Sequence, residues 1–141
     1  MTAPALTAID MARIHAACFT MPRPWTATEI AAALVDPLGI VIYEDQGFAL
    51  GRVVAGEAEL LTLAVDPQAR RQGMGHSLVT QFLTVARAKG AESVFLEVAA
   101  TNTAARALYE KSGFVQTGLR RGYYRDADGQ DVDAVILVWG I

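Results

Sequence analysis

The sequence predicts an α+β fold, a mixed β-sheet layered with helices, built as a single domain over residues 1–141. Three observations carry this. Segments 40–44, 48–54 and 59–65 are rich in β-branched and aromatic residues and are separated only by Asp45-Gln46-Gly47 and Gly56-Glu57, so they read as an antiparallel meander. Segment 77–89 has helical periodicity and lies between the 59–65 strand and a further apolar strand at 93–101; such a helical crossover favours parallel pairing of the two strands it joins. Two more strand-like segments, 114–119 and 132–139, close the sheet.

Each element follows from local chemistry. Met11, Ile14, Ala17 and Cys18 recur at helical spacing and Asp10 can cap a first helix over 11–19, which Pro22 and Pro24 stop. Thr26-Ala27-Thr28-Glu29 is a capping box ahead of a second short helix over 30–35, closed by Pro37 and Gly39. Trp25 lies between the two helices, where its ring either packs on the core or lines a substrate mouth. Asp66-Pro67 ends the 59–65 strand. In the 77–89 helix Leu78, Phe82, Val85 and Ala86 share one face, and Gly90 is the stop. Thr101 or Asn102 can cap a last helix over 103–112, with Ala105, Leu108 and Tyr109 on one face and Gly113 just past its end. Residues 120–131, with Tyr123, Tyr124 and the Asp128-Gly129 turn, connect the two closing strands.

Composition narrows the function classes. At 141 residues and 52% hydrophobic the chain can fill one core. No apolar run approaches the roughly 18–20 residues that span a bilayer, and the N-terminus lacks a basic-then-apolar leader, so a soluble cytoplasmic protein without membrane contact is expected. Cys18 is the only cysteine, which excludes an internal disulfide and a cysteine-based metal cluster. His15 and His76 have no carboxylate cluster near them in sequence, so no metal is expected and both read as structural or solvent-facing. A net charge of −3 argues against direct nucleic-acid binding, although Arg120, Arg121 and Arg125 form a local basic patch.

The segment Arg70-Arg71-Gln72-Gly73-Met74-Gly75-His76 joins a strand to a helix. The first turn of a helix has unpaired N–H groups and the positive end of the macrodipole, and glycines at 73 and 75 leave room for a phosphate to reach those amides. A Walker loop would end in Gly-Lys-Ser/Thr, whereas Gly75 is followed by His76 and Ser77. A dinucleotide loop needs a third glycine at 78, which is Leu. What remains is R-x-x-G-x-G, either a pyrophosphate cradle or an Arg/Gly-rich turn that starts a surface helix.

Glu97 interrupts the apolar run Val94-Phe95-Leu96-Glu97-Val98-Ala99, and a carboxylate there is costly to bury without a partner or a cleft. Strand alternation puts it on the side of Phe95 and Ala99; the alternative is a solvent-facing residue.

Taken in order, Leu63-Ala64-Val65-Asp66-Pro67, the glycine loop, Leu96-Glu97-Val98, and Asn102 with Leu108-Tyr109-Glu110-Lys111-Ser112-Gly113-Phe114 resemble the signatures of the GNAT superfamily of N-acetyltransferases. The tail Arg120-Arg121-Gly122-Tyr123-Tyr124, followed by Asp128-Gly129 and Asp133-Ala134, is similar to its RimI type, whose members acetylate the N-terminal amine of a small-subunit ribosomal protein. The resemblance covers about residues 60–138, and Pro24-Trp25-Thr26 resembles the family's Pro-Trp-Ser/Thr.

That resemblance implies a sheet with a splayed parallel strand pair, helices on both faces, and acetyl-CoA as cosubstrate. It implies that backbone groups of Leu63, Ala64 and Val65 pair with the pantetheine arm, although plain core strand is a compatible reading. The amides of Arg71, Gln72, Gly73, Met74, Gly75 and His76 would hold the pyrophosphate, with Arg70 as a nearby charge. Asn102 matches a cofactor contact and reads equally as a helix cap. Glu97 matches the general base and Tyr109 the general acid that protonates the departing thiolate; on the residues alone Tyr109 also reads as a core aromatic. The implied partner is the N-terminal peptide of a protein, and Tyr123, Tyr124, Arg120 and Arg121 either line its entrance or cover the sheet edge. Two other readings stay open: the same chemistry on a small-molecule amine or lysine, and a non-catalytic acetyl-CoA-binding module.

Overall fold

The computed structural model describes residues 6–70 and 73–140. In chain order the elements are α1 (Ala8–Cys18), α2 (Ala27–Leu34), β1 (Gly39–Glu44), β2 (Gly47–Val54), β3 (Glu57–Val65), α3 (Met74–Ala88), β4 (Ser93–Ala99), α4 (Thr103–Lys111), β5 (Val115–Arg125) and β6 (Asp131–Gly140), with a 3-10 turn at Pro67–Ala69. Among the described residues no helix is long and apolar enough to cross a membrane.

The strands form one six-stranded sheet in the order β1-β2-β3-β4-β6-β5. The meander β1-β2-β3 is antiparallel, as its short turns require, and the α3 crossover makes β3 and β4 parallel. Those two strands pair only at Glu57↔Ser93, Ala58↔Val94 and Glu59↔Phe95. Beyond Glu59 and Phe95 they separate, and the sheet opens into a wedge between Leu60–Val65 and Leu96–Ala99.

A bulge in β3 accompanies the opening. Leu50 faces Thr62 and Gly51 faces Leu60, so Leu61 has no partner in β2. One extra residue exchanges the faces of everything after it. Ala58 and Leu60 pack beneath α3 with Phe82, whereas Ala64 joins Met11, Ile14, Ile30, Phe48 and Leu50 beneath α1 and α2, and Leu63 and Val65 turn towards the α3 side. Gly51 permits this junction, because a Cβ there would collide with the Glu59 carbonyl oxygen and the Phe82 ring.

Helices therefore cover both faces. α3 and α4 lie over one, burying Leu78, Val79, Phe82, Ala86 and Tyr109; α1 and α2 lie over β1 to β3 on the other. On that second face, beyond α1 and α2, Phe95, Glu97, Ile136 and Val138 are only half-buried.

Several boundaries differ from expectation: α2 starts at Ala27, directly after its Thr26 cap, β4 ends at Ala99, and three more have a distinct cause. Asp10 does not cap α1: Thr7 does, its Oγ1 accepting the Asp10 N–H at 3.1 Å while Asp10 Oδ2 accepts the Thr7 N–H at 3.0 Å, so Asp10 is the returning member of a capping box. Helix α3 starts at Met74 instead of Ser77, because Gly73 takes a left-handed φ of 76° and turns the chain directly into the helix. Strand β5 does not stop at Leu119. Arg120 pairs with Ala134 and Tyr124 with Val132, two extra residues being absorbed where Gly122 adopts a φ of 60° and gives its N–H to Asp133 Oδ1 at 2.9 Å. The second capping box stands as expected, Thr26 on Glu29 at the start of α2.

Candidate active site

The wedge is the natural place to build a site. Asp66 N–H donates to Gln46 carbonyl at 2.8 Å, and Phe48 faces Ala64. In an antiparallel ladder the residues between such pairs direct their N–H and C=O the other way, so Leu63 and Val65 aim theirs into the wedge while Ala64 spends its own on β2. Cys18 of α1 reaches that edge, its Sγ donating to the Val65 carbonyl at 3.1 Å.

The N-terminus of α3 lies close to the end of β3: a Cβ on Gly47, the partner of Val65, would be 2.9 Å from Met74 Sδ. Gly73 provides no side-chain cap, and nothing lies within 4 Å of where its Cβ would be. A Cβ on Gly75 would lie 3.1 Å from Leu108 Cδ2, so glycine there lets the first turn of α3 approach α4 closely. Arg70 and His76 are exposed, and Met74 and Gly75 are half-buried; Arg71 and Gln72 lie outside the described residues. An uncapped, glycine-flanked helix start with open amides suits a pyrophosphate, and the free edge of β3 suits an extended arm bearing amides. Asn102 caps α4, its Oδ1 accepting the Ala105 N–H at 3.2 Å.

Glu97 and Tyr109 fall on opposite faces of the sheet, with the wedge between β3 and β4 opening towards them. Glu97, next to Ile136 of β6, lines a pocket of about 300 Å³ with Glu57, Phe95, Arg120, Ile136 and Val138. Its Oε1 lies 3.0 Å from Arg120 Nε. Two further groups feel it. Burial first and the Glu97 charge second raise the Glu59 carboxyl above its ordinary value, and the same two causes raise the Tyr124 phenol. Tyr109 is buried on the α3/α4 side, edge-on to Phe114 at 5.8 Å, and burial pushes its phenol well above the usual range. It stays protonated, and it is a weaker acid than a free phenol.

The model of the acetyltransferase (GNAT) family matches residues 8–114. The chain belongs to that family. Among its relatives, the ribosomal protein bS18-alanine N-acetyltransferase of Escherichia coli (strain K12) is 43% identical over 90 residues, 64% of this chain and 60% of that protein, so the match spans less than two thirds of the relative's length. The N-alpha-acetyltransferase RimI of Mycobacterium tuberculosis is 34% identical over 137 residues, covering 89% of this chain and 85% of that protein. A crystal structure of the ribosomal-protein-S18-alanine N-acetyltransferase from Escherichia coli superposes with a TM-score of 0.83 at 30% identity, over the whole of this chain and 92% of that one.

Within this GNAT fold several side chains have structural duties. Trp25 packs with the α1/α2 core, and its backbone N–H donates to His15 Nδ1 at 3.1 Å. With Nδ1 accepting, the assigned tautomer carries its proton on Nε2, which donates to Thr62 Oγ1 at 2.8 Å. His15 is 1% exposed, and burial holds its pKa down at about 4. Sequence reasoning did not single out Glu59, nor join Arg120 to Glu97. Alternation before the bulge would have put Glu59 opposite the buried Ala58 and Leu60; the Arg120 pairing is set by the β5–β6 register and leaves no local signal.

Proposed function

We propose that this chain is an acetyl-CoA-dependent Nα-acetyltransferase of the RimI type, acting in the cytoplasm on the N-terminal amine of a protein, with a small-subunit ribosomal protein as the acceptor. The observation that carries the reading is the β3/β4 pair that stops at Glu59↔Phe95 and leaves Leu63 and Val65 without a partner in β4. The Escherichia coli enzyme, matched both in sequence and through its crystal structure, is named for ribosomal protein S18 as its acceptor.

In this reading the amides at 71–76, with Arg70 beside them, hold the pyrophosphate. The Leu63 and Val65 edge receives the pantetheine arm and aims the thioester through the wedge, with Asn102 at its border. The acceptor enters from the Glu97 face. Glu97 takes a proton from the ammonium through water, the free amine attacks the thioester carbonyl, and a strand N–H stabilises the oxyanion; as the C–S bond breaks Tyr109 protonates the leaving thiolate, and the second proton lost by the acylated nitrogen passes through water to restore Tyr109. Transfer is direct, and Cys18 forms no acyl intermediate.

Acceptor choice has an energetic side. Near neutral pH, deprotonating an α-amine of pKa ~8 costs about 1.4 kcal/mol, against about 4.6 kcal/mol for a lysine. A carboxylate base therefore serves an α-amine better. The test is a rate comparison with acetyl-CoA over an Ala-starting ribosomal N-terminal peptide, its N-terminally blocked lysine-containing counterpart, a polyamine and an aminoglycoside. Selective acetylation of the free N-terminus is expected. Equal or better rates on the small amines would replace the acceptor, and acetyl-CoA binding with no transfer to any of them would leave a binding module.

A further inference from the structure

We propose that Arg120 is a latch on Glu97 that an incoming acceptor ammonium must displace; this rests on the reading of Glu97 as the base. Arg120 Nε meets Glu97 Oε1 at 3.0 Å, and the two sides of the pair are unequal, the arginine side chain being 53% exposed and the glutamate 18%. Both side chains line the pocket, the carboxylate on its inner side and the guanidinium nearer solvent.

The guanidinium has a second contact, made at the same time as the ion pair. It lies over the Tyr123 ring at 5.3 Å from the centroid, and Tyr123 is edge-on to Tyr124 at 5.1 Å. Arg120 is also the last residue of β5 paired with β6 before the irregularity that ends at Tyr124. Released from Glu97, it keeps the aromatic face on which it already lies as its remaining attachment.

A cation thus occupies one oxygen of the carboxylate that, through water, takes the amine's proton. An ammonium exchanges for the guanidinium with no net change of charge in the pocket, whereas a neutral or anionic ligand would leave the charge unbalanced. The latch therefore favours cationic acceptors and weakens their binding by the strength of one half-exposed ion pair, which is small enough to break.

The test is Arg120→Ala, with acceptor peptide binding to the CoA complex followed by calorimetry and turnover followed in parallel. The acceptor Kd is expected to fall about two- to fivefold while the acetyl-CoA Kd is unchanged. Guanidinium chloride at sub-denaturing concentration should compete with the peptide in this variant more strongly than equal sodium chloride does, and should do so far less in the native enzyme. Arg120→Lys, which keeps a cation on the strand, should retain the native acceptor Kd. In Glu97→Gln the latch has no charge to hold, so adding Arg120→Ala should leave that Kd where it was. A weaker or unchanged acceptor Kd in Arg120→Ala, or a guanidinium effect no larger than that of sodium chloride, overturns the latch. Native turnover in Glu97→Gln would instead remove the base assignment, and the two failures are told apart because one is read in Kd and the other in kcat.

Discussion

Replacing the Glu97 carboxylate by an amide keeps the volume of its side chain between Phe95, Ile136 and Val138 and removes only the proton acceptor. Glu97→Gln is expected to lower kcat about a hundredfold or more, with the acetyl-CoA Kd unchanged because the proposed cofactor site lies in the wedge and at the start of α3. Initial rates and calorimetry check the two halves separately. His15 poses a different question, since it is buried and takes no part in the chemistry. Its folded pKa is about 4 against an ordinary 6.5, so the unfolded chain binds the proton more readily. The stability contributed by the neutral ring is complete above pH 6.5 and is lost as pH falls from 6.5 towards 4. Over that window the loss is about 3 kcal/mol. Urea unfolding across these pH values is expected to show it, and His15→Gln is expected to flatten the slope while lowering stability at neutral pH. An unchanged slope would mean that the ring is protonated in the fold.

At the scale of elements, the wedge depends on β3 leaving β4 while staying on β2, and the Leu61 bulge is where the strand changes faces. The change lets one strand pack Ala58 and Leu60 under α3, and then Ala64 under α1 with Thr62 bonded to His15. Gly51 is the residue opposite with least freedom to change. Its Cβ would meet a backbone carbonyl and the Phe82 ring, neither of which can move without disturbing β3 or α3. Gly51→Ala is expected to destabilise the protein by about 3 kcal/mol and to raise the acetyl-CoA KM, as measured by thermal unfolding and steady-state kinetics. Gly73→Ala meets nothing in space, and its cost is the left-handed φ alone, about 1 kcal/mol. If both substitutions cost the same, the close packing at Gly51 does not govern the bulge.

At the scale of the whole molecule, what local chemistry decides was legible in the sequence. The Thr26–Glu29 cap, the stops at Gly90 and Gly113, the meander and the parallel crossover all stand where side-chain type and spacing put them. Features decided by a distant neighbour were not legible. The Leu61 bulge is set by the Leu50 and Gly51 register on β2, and β5 continues past Leu119 because Asp133, on another strand, accepts the Gly122 N–H; Thr7, by contrast, is local to Asp10, and its capping box takes the place that Asp10 alone would fill. Glu97 stood out in its apolar strand, but its partner came from the β5–β6 register. The alternation along β3 yields a prediction that spans sheet, helix and ligand together. Ala64 gives its backbone groups to β2 in the free protein, whereas Leu63 and Val65 turn theirs into the wedge. Hydrogen exchange by NMR is therefore expected to find the Ala64 amide protected without ligand, and the Leu63 and Val65 amides exchanging faster until CoA is added. Protection at Leu63 and Val65 should then rise well beyond the general gain that any tight ligand confers by mass action, about 2.7 kcal/mol at a hundredfold excess over Kd. A uniform gain at all three positions would mean that CoA stabilises the fold without lying along β3, and the thioester would have to be presented to Glu97 from elsewhere.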